Sequence, residues 1–319
     1  MNLEHMPPLA VEPPDREWGV GVSGLTEDPS PFPRVNRLLY RANHTDSTAD
    51  DQRALIVTDC CTKYAAYPPN LRWALTLREL YEKVEIHIWP EELIVGELAA
   101  KPNSAPIYPE FSVDWLADEF LYRPMEDRTN DRYVISEQVK DTVFNVLQPF
   151  WKGKTVSEAV ISSYTEKEKQ GNHLGKGVVL DGLFVYAGVG HVCADYEKLL
   201  RIGWRGIREE IRAHLDALDT SLPEDARKRD FYLAEEIALE GACTYIRRYG
   251  ELAQRMALEE QDPARREELL RIASNCLWVS ENPPRDFWEA VQLWHLATNM
   301  IIIESNGHSV TYGRFDQLF

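Results

Sequence analysis

The sequence is short of positive charge, of paired cysteines and of any uninterrupted apolar run, and each shortage closes off a class of function. Lys and Arg number 35 against 52 Asp and Glu, a formal net charge of −17. Phosphates and anionic headgroups would be repelled over most of such a surface, which argues against a nucleic acid or a membrane as partner. The acidic residues spread over predicted helix faces, where they serve solvation. The cysteines, Cys60, Cys61, Cys193, Cys243 and Cys276, are odd in number and show no CxxC spacing. Neither a disulfide framework nor a zinc site is expected, and a reducing compartment fits. The opening Met-Asn-Leu-Glu-His-Met-Pro-Pro has no cationic start and no apolar core, so it does not read as a secretory leader. The most apolar stretch, Phe287 to Ile303, is interrupted by Glu289, Gln292, His295 and Asn299. It reads as a buried helix running into a strand, not as a membrane span. HExxH, a P-loop and a nucleophile–base spacing are missing too.

What is present describes a globular protein. Hydrophobic residues make up 44% and charged residues 27% of 319, enough for one large domain or two ordinary ones. Residues 1–33 are proline-rich and aperiodic and read as an extended arm. Gly19-Val-Gly-Val-Ser-Gly24 matches GxGxxG by letter only, because prolines rather than a helix follow it. Helices are predicted for Arg34 to Tyr40, Gln52 to Tyr64, Pro69 to Lys83, Val113 to Phe120 and, capped by Ser136, on to Trp151. Glu85 to Gly96 alternates about a Pro-Glu-Glu turn and predicts two short strands. Residues 101–110 read as a proline-punctuated loop. Asp195 is the expected cap of a helix to about Leu215, with Leu200, Ile207, Ile211 and Leu215 on one face. Pro223 opens a long helix, Asp262-Pro263 another, and Asn282-Pro-Pro the last. The fold class is mainly α with short β-strands.

Two segments stand out chemically. Gly171 to Gly190 interleaves six glycines with Val178, Val179, Leu180, Leu183, Phe184, Val185 and Tyr186, a composition that calls for close backbone packing or close approach of a ligand. His191 ends it, and reads either as a core histidine or as a ligand contact. The second segment is Glu304-Ser-Asn-Gly-His-Ser309. Asn306-Gly307 suits a tight turn with positive φ that would project His308 and Ser309 from a strand end, where they could hydrogen-bond a hydroxyl or carboxylate. The same turn breaks any helix between Glu304 and His308, which disfavours a metal on that pair. Arg314, Phe315 and Asp316 read as a packing and salt-bridge element, Tyr64, Tyr67, Trp73 and Trp89 as core, and Cys60-Cys61 as buried thiols.

Eight segments in order resemble the N-terminal part of glycyl radical enzymes of the pyruvate formate-lyase type. They are Arg34-Val-Asn-Arg-Leu38, Pro90-Glu-Glu-Leu-Ile-Val-Gly96, Ala105-Pro-Ile-Tyr-Pro-Glu-Phe-Ser112, Trp151-Lys-Gly-Lys-Thr155, Gly190-His-Val-Cys-Ala-Asp-Tyr-Glu-Lys198, Asn282-Pro-Pro-Arg-Asp-Phe-Trp-Glu289, Glu304-Ser-Asn-Gly-His-Ser309 and Gly313-Arg-Phe-Asp-Gln317. They run across residues 34–319, taken as one domain portion after the arm. The branch that looks most similar holds glycerol and diol dehydratases, choline trimethylamine-lyase, arylacetate decarboxylases and isethionate sulfite-lyase.

The resemblance implies a ten-stranded α/β barrel inside a shell of helices, of which this chain would be the incomplete N-terminal part. In that family a glycyl radical near the C-terminus passes to a cysteine inside the barrel. The resulting thiyl radical takes a hydrogen atom from a small substrate, and a C–O, C–C, C–N or C–S bond breaks in a dry interior. A radical S-adenosylmethionine enzyme installs the radical, and the family is anaerobic, cytoplasmic and usually dimeric. The implied radical cysteine, its glutamate and its glycine loop all lie beyond residue 319. The expectation is therefore no catalytic residue and no bound cofactor in this chain, and inactivity alone, with a C-terminal half or a homodimer as the candidate protein partner. The resemblance does carry substrate contacts to His191, His308 and Ser309, with Asn306 and Phe184 beside them. The apolar Leu180, Phe184 and Ala187 favour a diol or an arylacetate over a quaternary ammonium or a sulfonate. The alternative is a stand-alone helical binding module derived from such an enzyme.

Overall fold

Proline and short polar caps start the helices largely where the sequence places them. The structure is a computed structural model that describes residues 31–122, 124–171, 188, 190–306 and 309–318; most of the arm read at 1–33, together with Phe184 and His308, lies outside the described residues. In chain order the elements are α1 (Pro33–His44), β1 (Thr48–Asp50), α2 (Gln52–Lys63), α3 (Pro69–Lys83), β2 (Ser104–Pro106) and α4 (Asp114–Tyr122). After a 3₁₀ turn (Met125–Asp127), α5 (Glu137–Thr142) runs through a π-helical turn (Val143–Leu147) into α6 (Gln148–Trp151). Then come α7 (Val156–Ser163), α8 (Glu166–Gly171), α9 (Tyr196–Asp216), α10 (Pro223–Glu259), α11 (Pro263–Val279), α12 (Phe287–Ser305) and α13 (Phe315–Leu318). The expected caps are in place. Ser136 Oγ accepts from Val139 N at 3.3 Å, Asp195 from Lys198 N at 3.0 Å and Asp262 from Ala264 N at 3.1 Å.

These helices close two hydrophobic cores. The first gathers Leu80 of α3, Tyr245, Ile246 and Tyr249 of α10, Leu269 and Ile272 of α11 and Leu293 and Leu296 of α12. The second gathers Ala54 and Val57 of α2, Val113, Ala117 of α4, and Val139, Val143, Leu147 and Trp151 along α5–α6. Each large aliphatic side chain so buried is worth roughly 1.5–3 kcal/mol. Trp73 of α3 packs against both cores. β1 and β2 pair in parallel, Thr48 with Ser104 and Asp50 with Pro106, so residues 104–106 of the expected loop are strand. α1 buries no residue. Its arginines hold it instead: Arg37 meets Glu91 at 2.7 Å, Arg41 meets Glu92 at 3.0 Å, and Arg34 pairs with Glu268.

Four expectations need correction. Glu85 to Gly96 forms the expected turn, with Glu91 at φ 75°, but no strands. Its backbone is satisfied by side chains of helices instead of by a neighbouring strand. Val95 N donates to Gln292 Oε1 at 2.9 Å, and Gln292 Nε2 donates back to Val95 O at 2.7 Å. Gly96 O accepts from His295 Nε2 and Asn299 Nδ2 at 2.9 and 3.0 Å, and Leu93 O accepts from Trp288 Nε1 at 2.9 Å. Glu97 N donates to the Tyr249 hydroxyl at 3.1 Å, and the Tyr245 hydroxyl donates to Glu97 O at 3.0 Å. This strap explains three of the polar residues that interrupt the apolar stretch of α12, Gln292, His295 and Asn299, while Glu289 pairs with Arg285.

The second correction is that α12 does not run into a strand: Ile301, Ile302 and Ile303 are helical, because burial outweighs the extended preference of β-branched residues. Third, α12 starts at Phe287 rather than at Asn282, with Asp286 as its cap. The Asn282-Pro-Pro segment closes α11 instead, through Asn282 N to Trp278 O at 3.0 Å and Trp278 Nε1 to Pro283 O at 2.8 Å. Fourth, Tyr67 is exposed and not core.

Candidate functional site

The end of α12 builds the site. Asn306 sits at its C-cap in the left-handed region, φ 48° and ψ 36°, the conformation that Asn tolerates better than most residues. The turn therefore leaves a helix end, not the strand end expected. Ser309 also lies at positive φ, 59°, as does His191, at 56°. Non-glycine residues in this region are uncommon and gather at functional sites.

Two distant parts of the chain meet here. Thr311 N donates to Val192 O at 2.9 Å, and Cys193 and Thr311 form a parallel bridge. Gly188 lies so close to the helix end that a Cβ there would fall 1.8 Å from Ser305 O, so only glycine fits. The segments bearing His191 and Ser309 are thus neighbours, and both side chains are exposed. Just beyond, Tyr196 and Thr298 share a hydroxyl hydrogen bond of 2.9 Å, tying the start of α9 to α12. A hollow of about 870 Å³ opens beside them, lined among others by Cys193, Asp195, Arg201, Phe287 and Arg314. A narrower groove of about 390 Å³ runs on the other side, apolar along Leu77, Leu199, Ile207 and Met300, with Glu304 at its edge.

Helices run out of backbone donors for their last carbonyls, and around the end of α12 side chains of other elements donate to its carbonyls. The Tyr81 hydroxyl donates to Met300 O at 2.9 Å and the Tyr108 hydroxyl to Ile302 O at 2.8 Å. Arg53 of α2 donates through Nε to Ile303 O at 2.6 Å and through Nη2 to Glu304 O at 2.7 Å. Its two Nη atoms also reach both oxygens of Glu110, at 3.1 and 2.6 Å, and its guanidinium lies 3.9 Å from the Tyr108 ring centroid. The Glu304 carboxyl accepts from Trp73 Nε1 at 3.1 Å. Burial pushes that carboxyl up from the ordinary range, against the pull of Trp73 and Arg53. Sequence reasoning singled out none of Arg53, Tyr81, Tyr108 and Glu110 for the site. One sign was available: Arg53 is the basic residue on the face of α2 that otherwise buries Ala54, Val57, Thr58 and Cys60.

The thiols give no candidate nucleophile on α2: burial pushes Cys60 up to about 12 and raises Cys61 too. Among the described residues no cluster of His, Cys, Asp and Glu could hold a metal ion, and no helix is long and apolar enough to cross a membrane. Arg314 and Asp316 form the expected ion pair at 3.0 Å, exposed, while Phe315 meets Trp294 edge-on.

Residues 26–319 match the family described as pyruvate formate lyase-like. The chain belongs to that family. Its sequence is 38% identical over 317 residues to the (2S)-3-sulfopropanediol dehydratase of Klebsiella oxytoca, covering 99% of this chain and 38% of that protein. In structure it is similar to the B12-independent glycerol dehydratase of Clostridium butyricum in its glycerol-bound form, with a TM-score of 0.84 and 36% identity over 90% of this chain and 36% of that one. A Roseburia inulinivorans structure of 1,2-propanediol dehydration gives a TM-score of 0.84 at 34% identity, over 89% and 34% of the two chains. The chain thus spans little more than a third of these relatives. It superimposes on part of a pyruvate formate lyase-type fold, in its mainly helical region with short strands.

Proposed function

We propose that this chain is the N-terminal portion of a glycyl radical dehydratase acting on a small vicinal diol. The observation that carries this reading is the junction of residues 190–193 with residues 309–311 at the end of α12. It gathers the segments of His191, Asn306 and Ser309, and His308 adjoins them in sequence. Two imidazoles and a hydroxyl would bind adjacent substrate hydroxyls, and Phe184 would supply an apolar wall. A pair of adjacent hydroxyls is common to the compounds in the names of the relatives from Klebsiella, Clostridium and Roseburia: a sulfopropanediol, glycerol and 1,2-propanediol. The first of those names also carries a sulfonate, against the preference drawn from Leu180, Phe184 and Ala187, so the proposal keeps to the shared diol.

The protein glycyl radical of the family would supply hydrogen abstraction through a thiyl, and no residue of this chain is assigned to either. The residues here would bind and orient the substrate and form part of the wall that excludes water. The further parties would be a radical S-adenosylmethionine activating enzyme and a C-terminal half, in the cytoplasm of an anaerobic cell. The test is anaerobic incubation of residues 1–319 with an activating enzyme and propane-1,2-diol, with and without the C-terminal portion of a relative. Neither a glycyl radical signal in electron paramagnetic resonance nor aldehyde should form without that portion. With it, His191→Ala and Ser309→Ala should lower kcat/KM about a hundredfold. Turnover by residues 1–319 alone, or full activity of both variants, overturns the reading.

A further inference from the structure

We propose that Arg53 is a positioning residue for the left-handed turn at Asn306, reaching from the second core to fix the end of α12, which belongs to the first. The role follows from what the guanidinium touches. It donates to two consecutive carbonyls, Ile303 O and Glu304 O, at the point where the helix runs out of its own donors. A cation there also meets the negative end of the helix dipole. The side chain is 2% exposed and anchored on its far side by both oxygens of Glu110, so it cannot follow the helix end if that end moves. Residue 304 is held twice, its carbonyl by α2 through Arg53 and its carboxyl by α3 through Trp73. Two residues later the chain turns left-handed at Asn306, whose N–H shares Ile302 O with the Tyr108 hydroxyl.

A lysine could not replace this arrangement. Its ammonium is a point donor on a flexible stem, whereas the planar fork serves two carbonyls and a carboxylate at once. The turn therefore inherits its position from Arg53 and not from the backbone of α12 alone. That the turn contacts substrate rests on the proposed function; that Arg53 fixes the turn does not.

The experiment is amide hydrogen exchange by mass spectrometry on residues 1–319 carrying Arg53→Lys, Arg53→Met or Tyr108→Phe, with diol binding followed by ligand-observed NMR using propane-1,2-diol. Arg53→Lys should speed exchange across residues 302–311 by about tenfold or more, while residues 245–280 of α10 and α11 stay within about twofold. Tyr108→Phe, which keeps the ring and loses one donor, should show the same pattern at smaller size. If Arg53→Met fails to fold, the other two variants still decide. Unchanged exchange at 302–311, or equal loosening of both regions, overturns the proposal. Localised loosening with no diol binding by the unaltered chain would sink the substrate reading and leave the positioning role standing. Diol binding that survives Arg53→Lys without localised loosening would do the reverse.

Discussion

Residues 89–97 and residues 190–193 both run as irregular chain beside α12, and they are held in different ways. The first carries no regular backbone pairing, yet Gln292, His295, Asn299, Trp288, Tyr245 and Tyr249 satisfy its peptide groups from the flanking helices. The second has a backbone partner, Thr311 N on Val192 O, and exposed side chains at His191 and Cys193. Both contain left-handed backbone, Glu91 in one and His191 in the other. The difference separates two tasks. Side chains from several helices lock a strap whose sequence has only to be accommodated. A backbone link joins two segments whose side chains at His191, Cys193 and Ser309 stay exposed.

That contrast can be broken most severely at Gln292. Gln292→Leu keeps the volume but leaves Val95 N–H and C=O buried without partners, at a cost of about 3–5 kcal/mol by denaturant unfolding. A loss below about 1 kcal/mol would show that the strap does not depend on this amide. Gly96→Ala comes next. Gly96 sits at φ 137°, and a Cβ there would lie 2.6 Å from Leu296 Cδ2, so a destabilisation of about 2–3 kcal/mol is expected in the same assay.

Acidity should loosen or tighten the strap more gently. Burial, followed by the charge of neighbouring Glu92, pushes the Glu97 carboxyl up to about 8 from an ordinary 4.5. The folded state thus holds a proton that the unfolded chain releases. Its contribution is whole below pH 4.5 and is lost as pH rises through about 8. Burial lowers His295, whose contribution runs the other way and is lost as pH falls below 6.5. Hydrogen exchange of residues 89–97, corrected for intrinsic rates, should accelerate between pH 6 and pH 9, and Glu97→Gln should flatten that rise. The smallest effects belong to the other segment. Ser309→Ala and Asn306→Gly should each move stability by no more than about 0.5 kcal/mol in thermal unfolding. A loss several times larger would mean that the site segment is locked like the strap.

What the sequence disclosed follows the range of the interaction. Ser136, Asp195 and Asp262 act on amides two or three residues away, so their caps could be read directly. The Asn306 turn was legible for the same reason, though it follows directly on the expected helix and not on a strand. Ile301 to Ile303 look extended by local preference, yet they are helical, with Ile303 buried in the first core and Ile301 and Ile302 half-buried. The alternation of Glu85 to Gly96 pointed to strands because nothing nearby reveals that its partners lie about two hundred residues on, in α12. Arg53 was illegible on similar grounds: its carbonyl acceptors are 250 and 251 positions away. The glycine-rich stretch was noticed by composition, and Gly188 supplies the close approach that composition called for.

The π-helical turn at Val143–Leu147 has a consequence for the second core. Val139, Val143, Leu147 and Trp151 are spaced four apart and all face inward. In an uninterrupted α-helix that spacing would advance the contact face by about 40° per step, walking Trp151 round toward solvent. One wider turn takes the advance back, so the indole reaches Thr58 Oγ1 at 2.9 Å. The loosened winding absorbs one extra residue, so removing a single residue from it would restore an ordinary α-helix with everything downstream still facing inward.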